Sequence, residues 1–320
     1  MKNKKSIMFF SSLLILIFHL WINIFDRTSN LYNIEEFIRQ MCFIGVDIFF
    51  FLSAYSIANI KKEDYKSFIK SRLKKVYIPY IIFALIALFY TKWNFKTFIL
   101  NILGINLFLQ GGGSFLWFIP TVMLVYLVLP LYKEIDNKYK IITPLLTSII
   151  LLILTIILSL LSQFNHIFII TNRIPIILIG YYFKKTNIID KLSKKYYIVL
   201  SLILTIIGLI ILYNFRYLNL SYIKDVFYIL GIPLIIGIIL LINLIPTNKI
   251  INILGSITFE MYAIQMIFGY KITEYLLLKS SHLLTNLLSI TVVILLSLII
   301  HYIFNKILFF NKKALAQKTS

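Results

Sequence analysis

The chain has 320 residues, of which 60% are hydrophobic and only 14% are charged, a balance that excludes an ordinary soluble domain. The net charge at pH 7 is +20, because 32 lysine and arginine residues stand against 12 acidic ones. These basic residues lie between apolar runs and form no stripe interleaved with aromatic residues, so the sequence indicates no nucleic-acid partner. The single cysteine, Cys42, excludes an internal disulfide and a metal site built from several cysteines.

Long apolar runs follow one another along the whole chain and predict an all-α, multi-pass membrane protein with about ten transmembrane helices. The first run has no clear small-residue cleavage site, so we expect a retained helix rather than a signal peptide. The ten predicted segments cover residues 6–25, 40–60, 76–91, 115–132, 141–161, 173–183, 196–214, 226–244, 251–270 and 283–308.

The loops between these segments differ in charge. If the N-terminus lies inside, most of the 32 lysine and arginine residues fall in loops on the inner side, as the positive-inside rule requires. An even number of helices also places both termini on one side. The sequence therefore predicts cytoplasmic N- and C-termini and one transmembrane domain over residues 1–320, with a short basic tail from about residue 309.

His19 lies in the apolar stretch LILIFHLWINIF, residues 13–24. A polar group inside a transmembrane segment is costly and is therefore a candidate functional residue. An imidazole can accept and return a proton near neutral pH. The alternative is a structural histidine that is hydrogen-bonded to a neighbouring helix.

Two carboxylates inside apolar segments are further catalytic candidates. Asp47, in GVDIFFFLSAY, could orient an imidazole as the carboxylate of a catalytic triad does, or it could stabilise the start of a helix. Glu260, in LGSITFEMYAIQ, is the second candidate. For His301, in the last segment, a structural role is favoured.

The stretch KSRLKKVYIPY, residues 70–80, places Arg72, Lys74 and Lys75 beside the aromatic ring of Tyr77. Arginine and lysine side chains neutralise phosphate oxygens and donate hydrogen bonds to them, so the stretch suits a phosphate-bearing ligand. The alternative is a topology signal that contacts anionic headgroups of membrane lipids.

The stretch QGGGSFLWFIP, residues 110–120, places three glycines before Trp117. The glycines permit unusual backbone angles and predict a mobile loop on the outer side. Trp117 could be an anchor at the membrane interface or a stacking platform for a sugar ring.

Six blocks in this order make the chain resemble the acyltransferase 3 family, integral-membrane acyltransferases that modify glycans and lipids at the bacterial surface. The resemblance runs through nearly the whole chain and rests on the order of the blocks rather than on any single one. The blocks are IFHLW, GVDIFFFLSAYSI, KSRLKKVYIPY, FLWFIPTVMLVYLVLPL, NRIPIILIGYYF and LGSITFEMYAIQMIF.

This resemblance implies an acyl donor, usually acetyl-CoA, that is used from the cytoplasmic side of the bacterial cell membrane. It also implies an acceptor hydroxyl on a glycan or lipid-linked saccharide, and polysaccharide-assembly proteins are possible partners. His19 would be the catalytic residue, as a general base or a transient acyl carrier. Arg72 and Lys75 would contact the phosphates of the donor.

Further roles complete this mechanism. Asp47 or Glu260 would orient the imidazole of His19. Trp117, Tyr126 and Arg173 are candidates for binding the substrate and for stabilising the oxyanion. No metal-ligand cluster is visible in the sequence, so no metal is predicted.

The chain departs from the family pattern at three positions. Met8 stands where the family often has an arginine, with Lys4 and Lys5 about one turn earlier; Ala54 replaces a glycine, and Gln265 replaces a histidine. Because of these changes, an alternative hypothesis stays open: the protein is a non-catalytic membrane component of a polysaccharide assembly complex. A glycan or lipid transporter is another alternative, although the sequence shows no internal repeat.

Overall fold

The computed structural model describes residues 1, 3–139, 142–160, 167–217 and 227–309. These residues form helices and contain no β-strand, which confirms the predicted all-α fold. The helices of the first half of the chain are α1 (Lys4–Leu20), α2 (Asn30–Met41), α3 (Ile44–Ile57), α4 (Tyr65–Arg72), α5 (Ile78–Tyr90), α6 (Phe95–Ile102), α7 (Ile105–Gln110), α8 (Phe118–Tyr139) and α9 (Ile142–Leu160).

The second half is also helical in its described residues, and the predicted basic tail lies outside them. Two π-helical segments, Leu73–Tyr77 and Gln265–Gly269, each join two consecutive α-helices. The remaining helices are α10 (Phe168–Thr171), α11 (Ile174–Thr186), α12 (Ile188–Lys191), α13 (Lys194–Tyr217), α14 (Phe227–Leu230), α15 (Ile232–Asn243), α16 (Lys249–Leu254), α17 (Thr258–Ile264), α18 (Tyr270–Leu277) and α19 (His282–Phe309).

Several helical stretches are long and apolar enough to cross a membrane, which makes the chain a multi-pass membrane protein. Other predicted segments correspond to shorter helices: α1 has 17 residues and α15 has 12. Ten crossings and cytoplasmic termini therefore stay predictions. Among the described residues, the five stretches of sufficient length are Asn30–Ile57, Tyr65–Tyr90, Phe118–Tyr139, Lys194–Phe215 and His282–Lys306.

The basic stretch 70–80 is helical rather than a loop, and α4 continues through the π-helical segment Leu73–Tyr77 into α5. The π geometry is seen at Ile78, whose backbone N–H donates to the carbonyl of Leu73, five residues earlier. Pro79 follows directly, and because proline has no N–H, it cannot donate the usual helical hydrogen bond to the carbonyl of Lys75. Arg72, Lys74 and Lys75 thus lie beside or within this wider turn, inside the continuous helical stretch Tyr65–Tyr90.

A second proline fixes where α4 lies. Pro130, inside α8, cannot donate to the carbonyl of Tyr126, which would otherwise stay unpaired. The hydroxyl of Tyr65 at the start of α4 donates to that carbonyl at 2.7 Å and to the carbonyl of Leu127 at 3.2 Å. The hydrogen bonds hold α4 and its basic residues against α8.

Helix α3 is central: it packs against α1, α8 and α11 and contains the fully buried Phe50 and Phe51. Glycines allow these close contacts, as is common between transmembrane helices. A Cβ atom on Gly45 would lie 2.5 Å from the carbonyl oxygen of Ser11 in α1. A Cβ atom on Gly180 in α11 would lie 2.5 Å from the carbonyl oxygen of Phe51.

Replacing Gly180 with alanine is therefore expected to destabilise the protein by about 1–3 kcal/mol, since the added methyl group must push apart two backbones. Thermal unfolding of the purified protein in detergent measures this change. Gly113→Ala is the matched control, because a Cβ atom there would lie 4.0 Å from the nearest side-chain atom, Cβ of Gln110. Equal unfolding temperatures for the two variants would contradict the close packing of α11 on α3.

Candidate active site

A cavity of about 280 Å³ lies between α1, α3, α8, α17 and the basic end of the α4–α5 stretch. We call it the basic cavity, because Lys4, Arg72 and Lys75 line it and no acidic residue does among those that the structure describes. The rest of its wall is mainly apolar and includes Ile15 and Phe49. The site thus combines a cationic end with an apolar interior.

Two of the three cations, Lys4 and Arg72, contact uncharged partners. Nζ of Lys4 donates to Oγ of Ser56 at 2.6 Å. The Arg72 guanidinium lies over the rings of Phe68, at 4.8 Å, and Tyr126, at 5.4 Å. Its buried Nε atom has no hydrogen-bond partner in the described part of the chain. Three positive charges in a wall that contains no acidic residue among those described favour binding of an anion.

His19 extends the face of α1 that lines the basic cavity. Because an α-helix turns about 100° per residue, Lys4, Met8, Ile15 and His19 fall within an arc of about 60°. At 1.5 Å per residue, His19 lies about 22 Å from Lys4 along the helix axis. The face therefore runs from the cationic end of the cavity to the histidine.

The imidazole of His19 is exposed at the protein surface. Its ring packs edge-on against Phe18, with 4.9 Å between the ring centroids. Within the described residues it forms no hydrogen bond or ion pair, so the partner expected for a structural histidine is not seen. Neither ring nitrogen has a hydrogen-bond partner among the residues that the structure describes.

A second concave surface of about 440 Å³, which we call the polar groove, lies where α1 ends. Arg39 connects it to the last turn of α1, since its Nη1 atom donates to the carbonyl oxygen of Phe18 at 3.2 Å. Arg39 also donates to Glu36 at 2.6 Å. The groove is lined by Trp21, Ile22, Asn23, Phe25, Asp26, Arg27, Tyr32, Glu36, Arg39 and His282.

Sequence reasoning missed this groove. The available signal was the charged stretch NLYNIEEFIRQ, residues 30–40, directly after the first apolar segment. Its acidic and basic residues predict an amphipathic helix that lies along a surface.

Asp47 pairs with Arg173 rather than with His19. Oδ1 of Asp47 lies 2.6 Å from Nε of Arg173, and both side chains are at least 97% buried. The Arg173 guanidinium lies 5.8 Å from the ring centroid of Trp117. A permanently charged guanidinium compensates the burial of a carboxylate better than a neutral imidazole does. The ion pair joins α3 to the start of α11, and the predicted role of Asp47 in orienting His19 stays a prediction.

Glu260 also has a different partner. Its Oε1 atom lies 2.7 Å from Nδ1 of His301, which sequence reasoning left without a functional role. A carboxylate only accepts hydrogen bonds, so Nδ1–H of the imidazole is the donor. The pair borders a separate cavity of about 240 Å³, the Glu260–His301 cavity, which Lys74, Lys75 and Asn305 also line.

The other predicted binding residues lie in the basic cavity, in the Glu260–His301 cavity or outside both. Tyr126 lines the basic cavity, and its hydroxyl lies 3.3 Å from Oγ of Ser53. Lys74 lines the Glu260–His301 cavity. Tyr77 lines neither, and its hydroxyl donates to the carbonyl of Ile102. The structure thus brings Arg72, Lys75 and Tyr126 together and sets Trp117 with Arg173.

The departures from the family pattern also have definite positions. Met8 lines the basic cavity, and Lys4, one turn earlier, supplies a cation there. Gln265 is buried at the start of the π-helical segment Gln265–Gly269.

In the described residues, no group of three or more histidine, cysteine, aspartate or glutamate side chains is arranged to hold a metal ion.

Comparisons with known proteins identify the family. The model of the acyltransferase 3 family, described as an acyltransferase domain, matches residues 9–306. Searches of curated proteins and of solved structures give no match. The matched range contains His19, most of the basic cavity and the polar groove. Because the match covers nearly the whole chain, the protein belongs to the acyltransferase 3 family of membrane acyltransferases.

Proposed function

We propose that this protein transfers an acetyl group from acetyl-CoA to a hydroxyl group of a surface polysaccharide or a lipid-linked glycan in the bacterial cell membrane. The observation that carries the proposal is the continuous face of α1, which links the cationic end of the basic cavity to His19. Such a face suits a donor whose charged end and reacting end are far apart.

The basic cavity would bind the donor. Its cations would neutralise the pyrophosphate of acetyl-CoA, and hydrogen bonds between charged groups are the strong ones. Arg72 has a buried Nε donor that a phosphate oxygen would satisfy. The apolar wall beyond it suits the uncharged arm and the thioester.

His19 would activate the acceptor. As a general base, its imidazole takes the proton of the hydroxyl group while the oxygen attacks the thioester carbonyl. The new C–O bond replaces the C–S bond, and the leaving thiolate of CoA takes the proton back from the imidazolium of His19. As an acyl carrier, the imidazole would itself attack the thioester and expel CoA as the thiolate. The hydroxyl oxygen would then take the acetyl group from the acetyl-imidazole, and the proton that the hydroxyl loses would convert the thiolate to free CoA thiol.

The polar groove would receive the acceptor, because it adjoins the last turn of α1. Its charged and amide side chains, such as Asn23, Glu36 and Arg39, can exchange hydrogen bonds with sugar hydroxyls. The ring of Tyr32 adds an aromatic surface. Donor and acceptor would thus approach His19 from opposite ends of α1.

The test uses the purified protein in detergent. Acetyl-CoA and CoA should raise its unfolding temperature, since a ligand that binds only the folded state stabilises it. Incubation with acetyl-CoA and membrane-extracted glycan should release free CoA thiol and leave acetyl ester on the glycan. A glycan transporter or a non-catalytic scaffold would show neither response.

Replacing Arg72 with glutamine is expected to raise the KM for acetyl-CoA roughly tenfold to hundredfold, because a charged hydrogen bond to phosphate contributes about 1.5–3 kcal/mol. Thiol release at varied acetyl-CoA concentration measures this. The control is Lys70→Gln, which removes an exposed cation from the same helix outside both cavities. An unchanged KM in the Arg72 variant would contradict donor binding in the basic cavity.

A further inference from the structure

The Glu260–His301 cavity is a second polar space beside the basic cavity. The two share Lys75, Ser256 and Phe259 in their walls, so they adjoin each other. The proposed donor chemistry accounts for the basic cavity but leaves this neighbour without an occupant.

Its charges favour an anion. Lys74 and Lys75 contribute two positive charges, and Glu260 contributes one negative charge that is paired with His301 at 2.7 Å. Among the described residues, no other acidic side chain lines the cavity. The net charge of the wall is therefore positive even when the imidazole is neutral.

The pair also prepares His301 to bind a ligand. Nδ1–H donates to Glu260, so Nε2 is the remaining polar atom of the ring. The side chain is 30% exposed and lies in the cavity wall. A protonated imidazole, balanced by Glu260, would donate Nε2–H to a phosphate oxygen. Glu260 would then be a positioning residue for His301, and not for His19.

We propose that the Glu260–His301 cavity binds a phosphomonoester, the 3′-phosphate at the nucleotide end of the acyl donor, through Lys74, Lys75 and His301. This inference rests on the proposed function. It places the pyrophosphate near Arg72 and Lys75 in the basic cavity and the 3′-phosphate in the adjoining Glu260–His301 cavity. The donor would thus be held at two anionic points.

The test compares CoA with 3′-dephospho-CoA, which differs only in lacking this phosphate. Calorimetry on the full chain in nanodiscs of phosphatidylcholine gives both dissociation constants. The wild-type protein should bind CoA at least roughly a hundredfold tighter, since three charged side chains would contact the 3′-phosphate. Lys74→Gln and His301→Gln should each reduce that preference roughly tenfold, whereas Lys70→Gln should keep it.

The outcomes separate the two proposals. Equal binding of CoA and 3′-dephospho-CoA by the wild type would overturn the phosphate subsite alone. Binding of neither would overturn the donor proposal, and the subsite with it. Circular dichroism and the affinity for 3′-dephospho-CoA show whether each variant is folded, because that affinity should not change.

A lipid headgroup could supply the same chemistry. Nanodiscs that contain phosphatidic acid, whose headgroup is a phosphomonoester, test this source. We expect the preference for CoA to survive there. If phosphatidic acid abolishes that preference, the cavity belongs to a lipid and the assignment to the donor is wrong.

Discussion

Replacing His19 with alanine is expected to abolish acetyl transfer while leaving the affinity for CoA unchanged. General acid–base catalysis contributes about 10²–10⁴-fold to rate, and a lost acyl carrier would cost at least as much. His19 does not line the basic cavity, so its removal should not weaken donor binding. A catalytic role for the histidine predicts this result: the rate of acetyl transfer falls while the affinity for CoA stays the same.

Two measurements establish this split. Thiol release from acetyl-CoA in the presence of glycan reports the rate, and calorimetry with CoA reports affinity. Phe9→Ala, on another face of α1, controls for general damage to the helix. Imidazole added to His19→Gly should restore part of the rate, which a purely structural histidine would not allow.

A His19→Ala variant with wild-type activity would overturn the mechanism. In that case His19 is an ordinary surface residue of α1, and the result supports the interpretation of the protein as a transporter or a scaffold. Loss of both activity and CoA affinity would instead indicate that the variant is misfolded, and the imidazole rescue of His19→Gly decides between these results.

Removing either partner of the Asp47–Arg173 ion pair is expected to destabilise the protein by about 3–5 kcal/mol. The pair is buried, with 2.6 Å between Nε and Oδ1, so Asp47→Leu or Arg173→Met removes one of two opposite charges that are buried together. The double variant should recover most of the loss, because a buried ion pair can often be exchanged for apolar side chains of similar volume.

Thermal unfolding in detergent of the single and double variants forms a double-mutant cycle. The control is Lys62→Met, which breaks the exposed pair with Glu134 at 2.9 Å and should cost less than about 1 kcal/mol. Additive effects of the two buried substitutions would contradict the pairing. They would return Asp47 to the set of residues that could act on His19.

This second experiment also decides what Asp47 does. If the double variant regains both stability and acyl transfer, the carboxylate is structural and only holds α3 against the start of α11. If it regains stability without activity, the pair contributes to the reaction as well, through the position of Trp117 beside Arg173.

The class of protein, the family and the individual candidate residues could all be predicted from the amino-acid sequence. Its apolar runs predicted helices because the membrane interior supplies no partners for backbone N–H and C=O groups, which a helix satisfies within itself. The cost of burying charge marked His19, Asp47 and Glu260 as residues that need a partner or a task. Local rules of this kind do not depend on which helix lies beside which.

The partners of these residues could not be predicted without the packing of the helices. Asp47 and Arg173 are far apart in the chain, as are Glu260 and His301, and their pairing follows from how α3 meets α11 and how α17 meets α19. A carboxylate takes whichever donor the packing brings within reach, and one-dimensional spacing does not specify that packing. The same holds for the two cavities and the polar groove, whose walls come from helices that are distant in sequence.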